Sequence, residues 1–325
     1  MSNLFGIDIG GTKCAVIFGK SKDNKIEILD REFFLTKTQK GPGYALNSIA
    51  ETISDMLQKY DLSERDIKSI GISCGGPLDS KSGVILSPPN LPGWDNIEIV
   101  NILEKKFGIK TIIQNDANAC ALVEWKFGAG QGYKNIIFLT FGTGIGAGLI
   151  LDGRLYSGTN DMAGEVGHIR LNNFGPVGYG KSGSFEGFCS GGGITQLARA
   201  KVLEKLQKCE AVSFCSGMDG LDGLNAKIVG DAAEAGDPLA KEIYEICGRQ
   251  LGRGLAILID ILNPQLIIIG NIFTRSRDLL WPFAQEVINR EALSCASNVC
   301  SVVPSSLGEK IGDYASLAVA LSDLY

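Results

Sequence analysis

Three short runs of apolar residues open the chain, and polar turns separate them. The runs cover residues 4–9, 14–19 and 26–35, with Gly10-Gly11-Thr12-Lys13 in the first turn and residues 21–25 in the second. Apolar runs of this length, bounded by turn residues, are typical of β-strands. The pattern therefore predicts an antiparallel meander at the start of the chain.

Beyond the meander, apolar residues at helical spacing alternate with further short apolar runs. The spacing predicts helices over residues 42–60, 97–107, 116–127, 194–207, 226–235, 238–262, 276–290 and 311–323. The short runs predict strands over residues 67–73, 110–114, 135–141, 145–152, 266–270 and 299–303, with a hairpin near 84–86. Because the 238–262 helix tolerates Gly248, Gly252 and Gly254, we expect it to pack closely against a neighbour. Alternating strands and helices indicate the α/β class.

One local pattern occurs twice. The segments GIDIGGTKCAVIFG at residues 6–19 and LTFGTGIGAGLILDG at residues 139–153 each contain an apolar strand, a turn of glycine and threonine, and a second apolar strand. The repetition predicts two related halves that face a common cleft.

Composition narrows the class of function. The 325 residues carry 31 Lys and Arg against 36 Asp and Glu, a formal net charge of −5, with no basic run. We therefore expect no nucleic-acid partner. Every apolar run falls far short of the roughly 18 residues of a membrane-spanning helix, so we also expect no membrane partner. The 42 glycines form no collagen repeat or Gly/Ser tract and indicate many special turns.

The cysteines and the N-terminus bear on the compartment. Nine cysteines are scattered along the chain without a CxxC pair, which argues against a zinc ribbon or a thioredoxin-like motif. The opening MSNLFGIDIGG shows no export-signal pattern. Free thiols and no visible signal predict a cytoplasmic location.

Two glycine turns are candidates for binding a polyphosphate. Gly10-Gly11-Thr12 and Gly142-Thr143-Gly144 each follow an apolar strand and offer backbone N–H groups and a hydroxyl to an anion. Either turn alone fits an ordinary hairpin equally well, whereas two such turns could hold one nucleotide from both sides. The sequence lacks GxxxxGK[ST], and neither turn reads GxGxxG into a helix, which disfavours P-loop and Rossmann enzymes.

Polar residues beside loops are candidates for catalysis and sugar binding. Asp116 follows Asn115 at a strand-to-helix junction, where it is either the N-cap of the helix or the acceptor of a substrate proton. His168 is the only histidine and follows Glu165 in GEVGH, and Glu186 lies in a glycine-rich loop. These side chains suit either polyol recognition or ordinary structural roles. The sequence contains no GxSxG motif to complete a serine hydrolase triad.

Nine motifs in fixed order resemble the ROK family of sugar kinases and repressors. They are DIGGTK (8–13), GGP (75–77), PNLPGW (89–94), NDANA (115–119), FGTGIGAG (141–148), GEVGH (164–168), E-x3-SG (186–191), AAEAGDPLA (232–240) and NPQLIIIGN (263–271). The resemblance spans nearly the whole chain. Because DIGGTK begins at residue 8, with no room before it for a DNA-binding domain, the resemblance is to the kinase branch.

The resemblance implies a hexokinase/actin-like (ribonuclease H-like) duplicated α/β fold, with lobes at 1–116 plus 308–325 and at 117–307. It assigns the catalytic base to Asp116. The residues that the resemblance assigns to sugar binding are Gly76, Asn90, Asn115, Glu165, His168 and Glu186. Those that it assigns to nucleotide binding are Asp8, Gly10, Gly11, Thr12, Lys13, Gly142, Thr143, Gly144, Gly270 and Asn271. It also implies ATP with Mg²⁺ near Asp8, a hexose substrate and a homodimer.

The chain departs from the family pattern at several positions. Many members bind a structural Zn²⁺ through a CxCGxxGC segment and the histidine, and the three cysteine positions here are Val177, Tyr179 and Ser184. Because none of these three can replace a thiolate, we predict no zinc and leave His168 to sugar binding alone. Asn271 replaces the second glycine of the adenosine motif, and Asp313-Tyr314 replaces the usual small residues near the C-terminus.

These inferences predict an ATP-dependent sugar kinase that transfers the γ-phosphate to a hexose hydroxyl, O6 of glucose or of a related hexose, with Asp116 as general base. Two alternatives stay open: a catalytically silent sugar sensor on the same fold, and an ATPase-type activator without a sugar substrate. The sequence does not identify the hexose.

Overall fold

A computed structural model of the chain describes residues 2–23 and 25–322, apart from the side chain of Glu309. The strands are β1 (Ser2–Ile9), β2 (Lys13–Lys22), β3 (Lys25–Leu35), β4 (Ile67–Cys74), β5 (Leu78–Asp79), β6 (Val84–Ile85), β7 (Thr111–Asn115), β8 (Ile136–Leu139), β9 (Ala147–Leu151), β10 (Arg154–Leu155), β11 (Val177–Gly178), β12 (Lys181–Ser182), β13 (Leu266–Ile269) and β14 (Ser301–Pro304). The helices are α1 (Gly41–Lys59), α2 (Ile99–Phe107), α3 (Asp116–Phe127), α4 (Phe185–Phe188), α5 (Gly191–Gln207), α6 (Ala226–Glu234), α7 (Pro238–Leu262), α8 (Ile272–Glu291), α9 (Ser294–Ser297) and α10 (Ile311–Ala320).

Contacts between residues divide the chain into two units. Unit 1 contains Met1–Lys134, Gly148–Ala163 and Ser306–Tyr325, and unit 2 contains Asn135–Ala147 and Gly164–Ser305. These two units differ from the predicted lobes, whose boundaries lie at 116/117 and 307/308. The lobes stay a prediction.

Unit 1 is built on a five-stranded sheet in the order β3-β2-β1-β4-β7. The first three strands pair antiparallel, which confirms the predicted meander, and β4 and β7 then add in parallel. Helix α10 packs against β1 and β4 at two glycines, since a Cβ at Gly6 or Gly71 would collide with Ser316. Ser69 donates a hydrogen bond from Oγ to the carbonyl of Ala320 at 2.6 Å, which holds α10 to the sheet.

In unit 2, the strands β8, β13 and β14 pair in parallel. Strands β9 and β10 form an antiparallel hairpin. The strands β8 and β13 are fully buried, as their unbroken apolar sequences predict. Helix α8 begins at Ile272, four residues earlier than predicted. Ser276, the predicted first residue, has a non-helical backbone conformation and joins two helical pieces. Helix α10 ends three residues before the predicted end, and residue 323 lies outside the described residues. None of the helices within the described ranges is long and apolar enough to cross a membrane.

The interior glycines of α7 pack closely against neighbours, as expected: Gly248 and Gly252 lie against α8, and Gly254 lies against Phe185 of α4. A Cβ on Gly252 would stand 2.5 Å from the carbonyl oxygen of Ala284, and one on Gly248 would stand 2.6 Å from that of Leu280. Both distances are shorter than any van der Waals contact, so side chains at these positions would force the two helices apart.

We therefore expect Gly252→Ala to lower the free energy of unfolding by about 1–3 kcal/mol, the usual cost of overpacking. The matched control is Gly43→Ala in α1, where an added Cβ meets no atom within 4 Å. This control should be neutral or stabilise by up to about 1 kcal/mol, because alanine favours helix over glycine. Urea denaturation of both variants measures the difference, and equal stabilities would contradict the packing argument.

Candidate active site

Three parallel strands of unit 1 end at the same level. Ile9 at the end of β1 pairs with Cys74 at the end of β4, and Cys74 pairs with Asn115 at the end of β7. The predicted phosphate turn follows β1, Gly76 follows β4 and Asp116 follows β7. The register thus brings three predicted site segments to one edge of the sheet, where ligands bind in α/β proteins.

The turn at residues 10–13 is fixed by hydrogen bonds. Gly10 N donates to the carbonyl of Lys13 at 3.0 Å, and Thr36 Oγ1 donates to the carbonyl of Gly10 at 2.6 Å. A Cβ on Gly11 would collide with the backbone oxygen of Asn90. The turn leaves two exposed side chains, those of Thr12 and Lys13. Gly11 and Asn90, predicted for nucleotide and sugar, are therefore direct neighbours.

Gly76 lies beside the same polar groups. A Cβ on Gly76 would stand 3.1 Å from Asn115 Nδ2, and one on Gly75 would stand 3.4 Å from Asn90 Nδ2. Two amide side chains and a glycine backbone therefore share one small region of unit 1. Amides both donate and accept, which suits adjacent sugar hydroxyls.

The N-cap of α3 is Asn115, so the interpretation of Asp116 as the cap is wrong. Asn115 Oδ1 accepts a hydrogen bond from Ala117 N at 2.9 Å, and Asp116 is the first residue inside the helix. Asp116 Oδ1 also accepts from Ala117 N at 2.8 Å, and the side chain is exposed. Protein atoms around the carboxyl displace solvent and raise the pKa of Asp116, which makes the carboxylate a stronger base.

Asp8 is half-buried at the end of β1. Burial, and then the negative charges of Asp116 and Asp313, raise its pKa from 3.8 to about 6, although Lys13 and Arg31 oppose the shift. Arg31 Nε donates to both carboxylate oxygens of Asp313, at 2.9 and 2.8 Å, so part of that positive charge is already paired.

The surroundings of Asp8 fit a magnesium ion brought by a nucleotide. Mg²⁺ prefers oxygen ligands and is usually held by one or two carboxylates together with phosphates and waters. Asp8 supplies such a carboxylate, with Asp116 close enough to raise its pKa. Among the residues that the structure describes, no group of three or more His, Cys, Asp or Glu forms a metal site made of protein alone.

The raised pKa of Asp8 predicts a pH-dependent stability difference. The folded chain holds the Asp8 proton more tightly than the unfolded chain, so stability falls as the pH rises from 3.8 to about 6, and the full cost of ionising Asp8 is present above pH 6. We expect Asp8→Asn to raise the free energy of unfolding relative to wild type at pH 8. The gain should shrink as the pH falls through about 6 and vanish below 3.8, where Asp8 is protonated in both states.

Denaturation curves at pH 8, 6 and 3.5 measure the effect. Asp55→Asn, on the exposed face of α1, is the control and should show no such trend. A gain from Asp8→Asn that is the same at all three pH values would contradict the electrostatic origin.

Unit 2 contains the second glycine turn. Gly142 N donates to the carbonyl of Gly144 at 3.0 Å, and Gly191 N donates to the carbonyl of Gly142 at 2.8 Å. A Cβ on Gly142 would stand 3.0 Å from Asn271 Nδ2. Asn271 has a φ of 55° and directly precedes α8. Gly270, the preceding residue, is buried, and its N–H donates to the carbonyl of Leu139 at 3.0 Å.

This turn borders a cavity of about 720 Å³, lined wholly by residues of unit 2. The N-terminal residues of α5, α6 and α8 all line it, and partial positive charge collects at such helix ends. Sequence reasoning found Gly142, Thr143 and Asn271 but missed the other polar and charged lining residues, which are Thr195, Gln196, Arg199, Asn225, Lys227 and Arg275. Three helix N-termini and three cationic side chains make the cavity suited to a polyphosphate.

The remaining predicted sugar residues lie in unit 2. Glu186, in α4, accepts a hydrogen bond from Ile145 N at 3.1 Å, and a Cβ on Gly144 would stand 2.5 Å from its carboxylate. Glu165 and His168 are exposed at the two ends of a short helical turn. Glu186 thus borders the second phosphate turn. It also lies beside the turn that carries Glu165 and His168, since a Cβ on Gly167 would stand 3.3 Å from Glu186 Cβ.

The positions of the missing zinc cysteines have other roles. The Tyr179 ring stands edge-on to the His168 ring at 6.3 Å. Ser184 is the N-cap of α4, with Oγ accepting from Gly187 N at 3.1 Å. Val177 is exposed on β11. These contacts are compatible with the absence of zinc, which stays a prediction.

Comparison with known proteins identifies the family. The ROK family model matches residues 4–321. The chain belongs to the ROK family. It is 34% identical to the glucokinase of Halalkalibacterium halodurans over 283 residues, which cover 86% of this chain and 83% of that protein.

Other ROK proteins show what else resembles the chain. It is 31% identical to the DNA-binding transcriptional dual regulator NagC of Escherichia coli over 278 residues, which cover 85% of this chain and 66% of that protein. The crystal structure of a ROK family glucokinase from Streptomyces griseus, in complex with glucose and AMPPNP, has a TM-score of 0.78 and 28% identity, and covers 98% of this chain and 99% of that one. The predicted hexokinase/actin-like α/β fold is confirmed. The roles of the individual site residues stay predictions.

Proposed function

We propose that this protein is an ATP-dependent sugar kinase that transfers the γ-phosphate to a hexose hydroxyl, O6 of glucose or of a related hexose. Asp116 accepts the proton of that hydroxyl as its oxygen bonds to the γ-phosphorus and the bond to ADP breaks. Asn115, Gly76 and Asn90 of unit 1 contact the sugar, and the predicted sugar contacts of Glu165, His168 and Glu186 stay predictions.

The observation that carries the proposal is the unit 2 cavity, where three helix N-termini and Arg199, Lys227 and Arg275 surround a glycine turn. Such a site favours a chain of phosphates over a neutral ligand. The S. griseus glucokinase, a relative in fold and sequence, was crystallised with glucose and an ATP analogue, which supports ATP as the phosphate donor.

The unit 1 site supplies the acceptor chemistry. Phosphoryl transfer has a loose transition state, so positioning and charge neutralisation dominate and the base is needed late. Asp116 fits this role because Asn115 already caps α3, and because the protein atoms around its carboxyl displace solvent and raise the pKa of Asp116. A bound Mg²⁺ supplies neutralisation of phosphate charge, and Asp8 is the residue that would hold it.

A coupled assay of ADP release tests the proposal. The purified chain is given ATP and Mg²⁺ with glucose, fructose, mannose, allose or an N-acetylated hexosamine in turn. At least one hexose should raise ADP release far above the rate with ATP alone. Equal rates with and without every sugar would reject the kinase, and ADP release from ATP alone would then favour an ATPase.

The alternative is a catalytically silent sugar sensor, favoured by the similarity to NagC. Calorimetry distinguishes the two, because a sensor binds hexose without any hexose-dependent ADP release. A homodimer and a cytoplasmic location are the remaining predictions, and sedimentation and cell fractionation test them.

A further inference from the structure

Unit 1 contains a cavity of about 550 Å³ that none of the predicted site residues lines. Residues 77–81 form one wall and residues 155–162 the other, with Leu86 and Gln114 between them. All of these residues belong to unit 1. The volume falls within the roughly 300–1,000 Å³ that small-molecule sites occupy.

Gln114 aims an unpaired amide group into this cavity. Its side chain is only 1% exposed. Oε1 accepts from Asn115 N at 2.8 Å and from Asn118 Nδ2 at 3.1 Å. Because the backbone N–H of Asn115 requires an acceptor, that contact fixes which amide atom is the oxygen. Nε2 therefore faces the cavity, and it has no hydrogen-bond partner within residues 2–23 and 25–322.

The two walls are joined by direct hydrogen bonds. Ser80 donates from its backbone N and from Oγ to the Asp161 carboxylate, at 2.7 and 2.9 Å. Asp79 Oδ1 accepts from Lys81 N at 3.0 Å and from Ser82 N at 3.1 Å, which orders the turn. Hydrogen bonds thus join the two walls to each other and order the turn in one of them.

The lining favours a neutral, hydroxyl-rich ligand. The charged side chains of the lining are Asp79, Asp161 and Lys81. Their net charge is negative and repels phosphate. Tyr156 and Met162 are 51% and 43% exposed and offer apolar surface to one face of a ring. The Gln114 amide can donate to an acceptor such as a hydroxyl or ring oxygen, which would take the place of water. A sugar ring supplies both the oxygen and the apolar face.

We propose that this cavity, called here the Gln114 pocket, binds a second hexose ring in addition to the acceptor sugar. The proposal rests on the proposed function for its choice of a sugar ligand. The ring comes either from a second free hexose or from the other half of a disaccharide substrate. Gln114 connects the pocket to the acceptor site, because its Oε1 holds the N–H of Asn115, the residue before the predicted base.

Titration calorimetry on the full chain tests the proposal, with glucose and maltose as separate probes. Thr159→Trp blocks the pocket from an exposed loop position, and Gln114→Glu keeps the acceptor for Asn115 but removes the donor that faces the pocket. Gln131→Trp is the matched control, since residue 131 is also exposed and lies outside the pocket. Thermal melts identify any variant that fails to fold, and the other variant then decides.

Two results support the proposal and distinguish the two sources of the ring. Two glucose molecules per chain in the wild type, falling to one in both pocket variants, identify a free hexose. One maltose per chain, bound about ten-fold more tightly than glucose and losing that advantage in both variants, identifies a disaccharide. The Gln131→Trp control should match the wild type in either case.

The proposal is overturned if the chain binds at most one glucose, binds maltose no more tightly, and shows changes below about two-fold in both pocket variants. ADP release is measured in the same samples. Two bound glucose molecules without ADP release would remove the proposed kinase and keep the pocket. Hexose-dependent ADP release, together with a single hexose site whose affinity is unchanged in both pocket variants, would keep the proposed kinase and overturn the proposed pocket.

Discussion

The Asp116→Asn variant is expected to bind hexose with nearly unchanged affinity and to lose turnover by about 10²–10⁴-fold, the usual contribution of a general base. Asparagine keeps an oxygen that accepts from Ala117 N, as Asp116 Oδ1 does at 2.8 Å, so α3 should be unaffected. The variant loses only the capacity to take the proton of the hydroxyl. Coupled ADP release measures kcat, and calorimetry measures hexose affinity.

The control for this prediction is Asp55→Asn, another exposed Asp-to-Asn change in unit 1, which should leave kcat unchanged. A fall in hexose affinity that accounts for the entire loss of activity would assign Asp116 to binding. Nearly normal kcat in Asp116→Asn would remove its role as base.

Glu124→Ala should lower the free energy of unfolding by about 3–5 kcal/mol, the largest stability effect that we expect. Glu124 is fully buried in α3. Its carboxylate accepts from Ala129 N at 2.8 Å, from Ser306 N and Oγ at 2.9 Å each, and from Leu307 N at 3.3 Å. Alanine would leave these donors unpaired and leave a cavity as well.

The location of Glu124 links this stability to the site. Its contacts connect the last turn of α3, the helix that starts at Asp116, to the segment just before α10, which packs on β1 and β4. Urea denaturation measures the loss. Glu51→Ala, on the exposed face of α1, is the control and should change stability by less than about 0.5 kcal/mol. Equal effects of the two substitutions would contradict the role of the buried carboxylate.

Local patterns in the sequence were sufficient to predict most elements. The meander follows from apolar runs with polar turns between them, and α7 follows from Asp237-Pro238, where Asp237 does accept hydrogen bonds from Leu239 N and Ala240 N. That Asn115, and not Asp116, is the N-cap of α3 was not predictable in this way. Asn and Asp are equally good N-caps, and only the backbone conformation shows that the helix begins one residue after Asn115.

The site residues that the sequence did not predict come from distant parts of the chain and are brought together only by the fold. Arg199, Lys227 and Arg275 each lie on a helix, where a cation is usually just a solvated surface residue. Only the packing of α5, α6 and α8 brings them to one cavity. Gln114 is similar, because a glutamine at the end of a buried strand gives no sign of which way its amide points.

Phosphorus NMR on the reaction mixture shows where the γ-phosphate goes. The chain is incubated with ATP, Mg²⁺ and the hexose that gives the highest ADP release, and the products are then observed. We expect a sugar monophosphate, coupled to the protons on C6 and formed in equal amount to ADP, and its near absence with Asp116→Asn. ADP accompanied only by inorganic phosphate would exclude phosphorylation of the hexose, and a sugar phosphate formed equally well by Asp116→Asn would exclude Asp116 as the base.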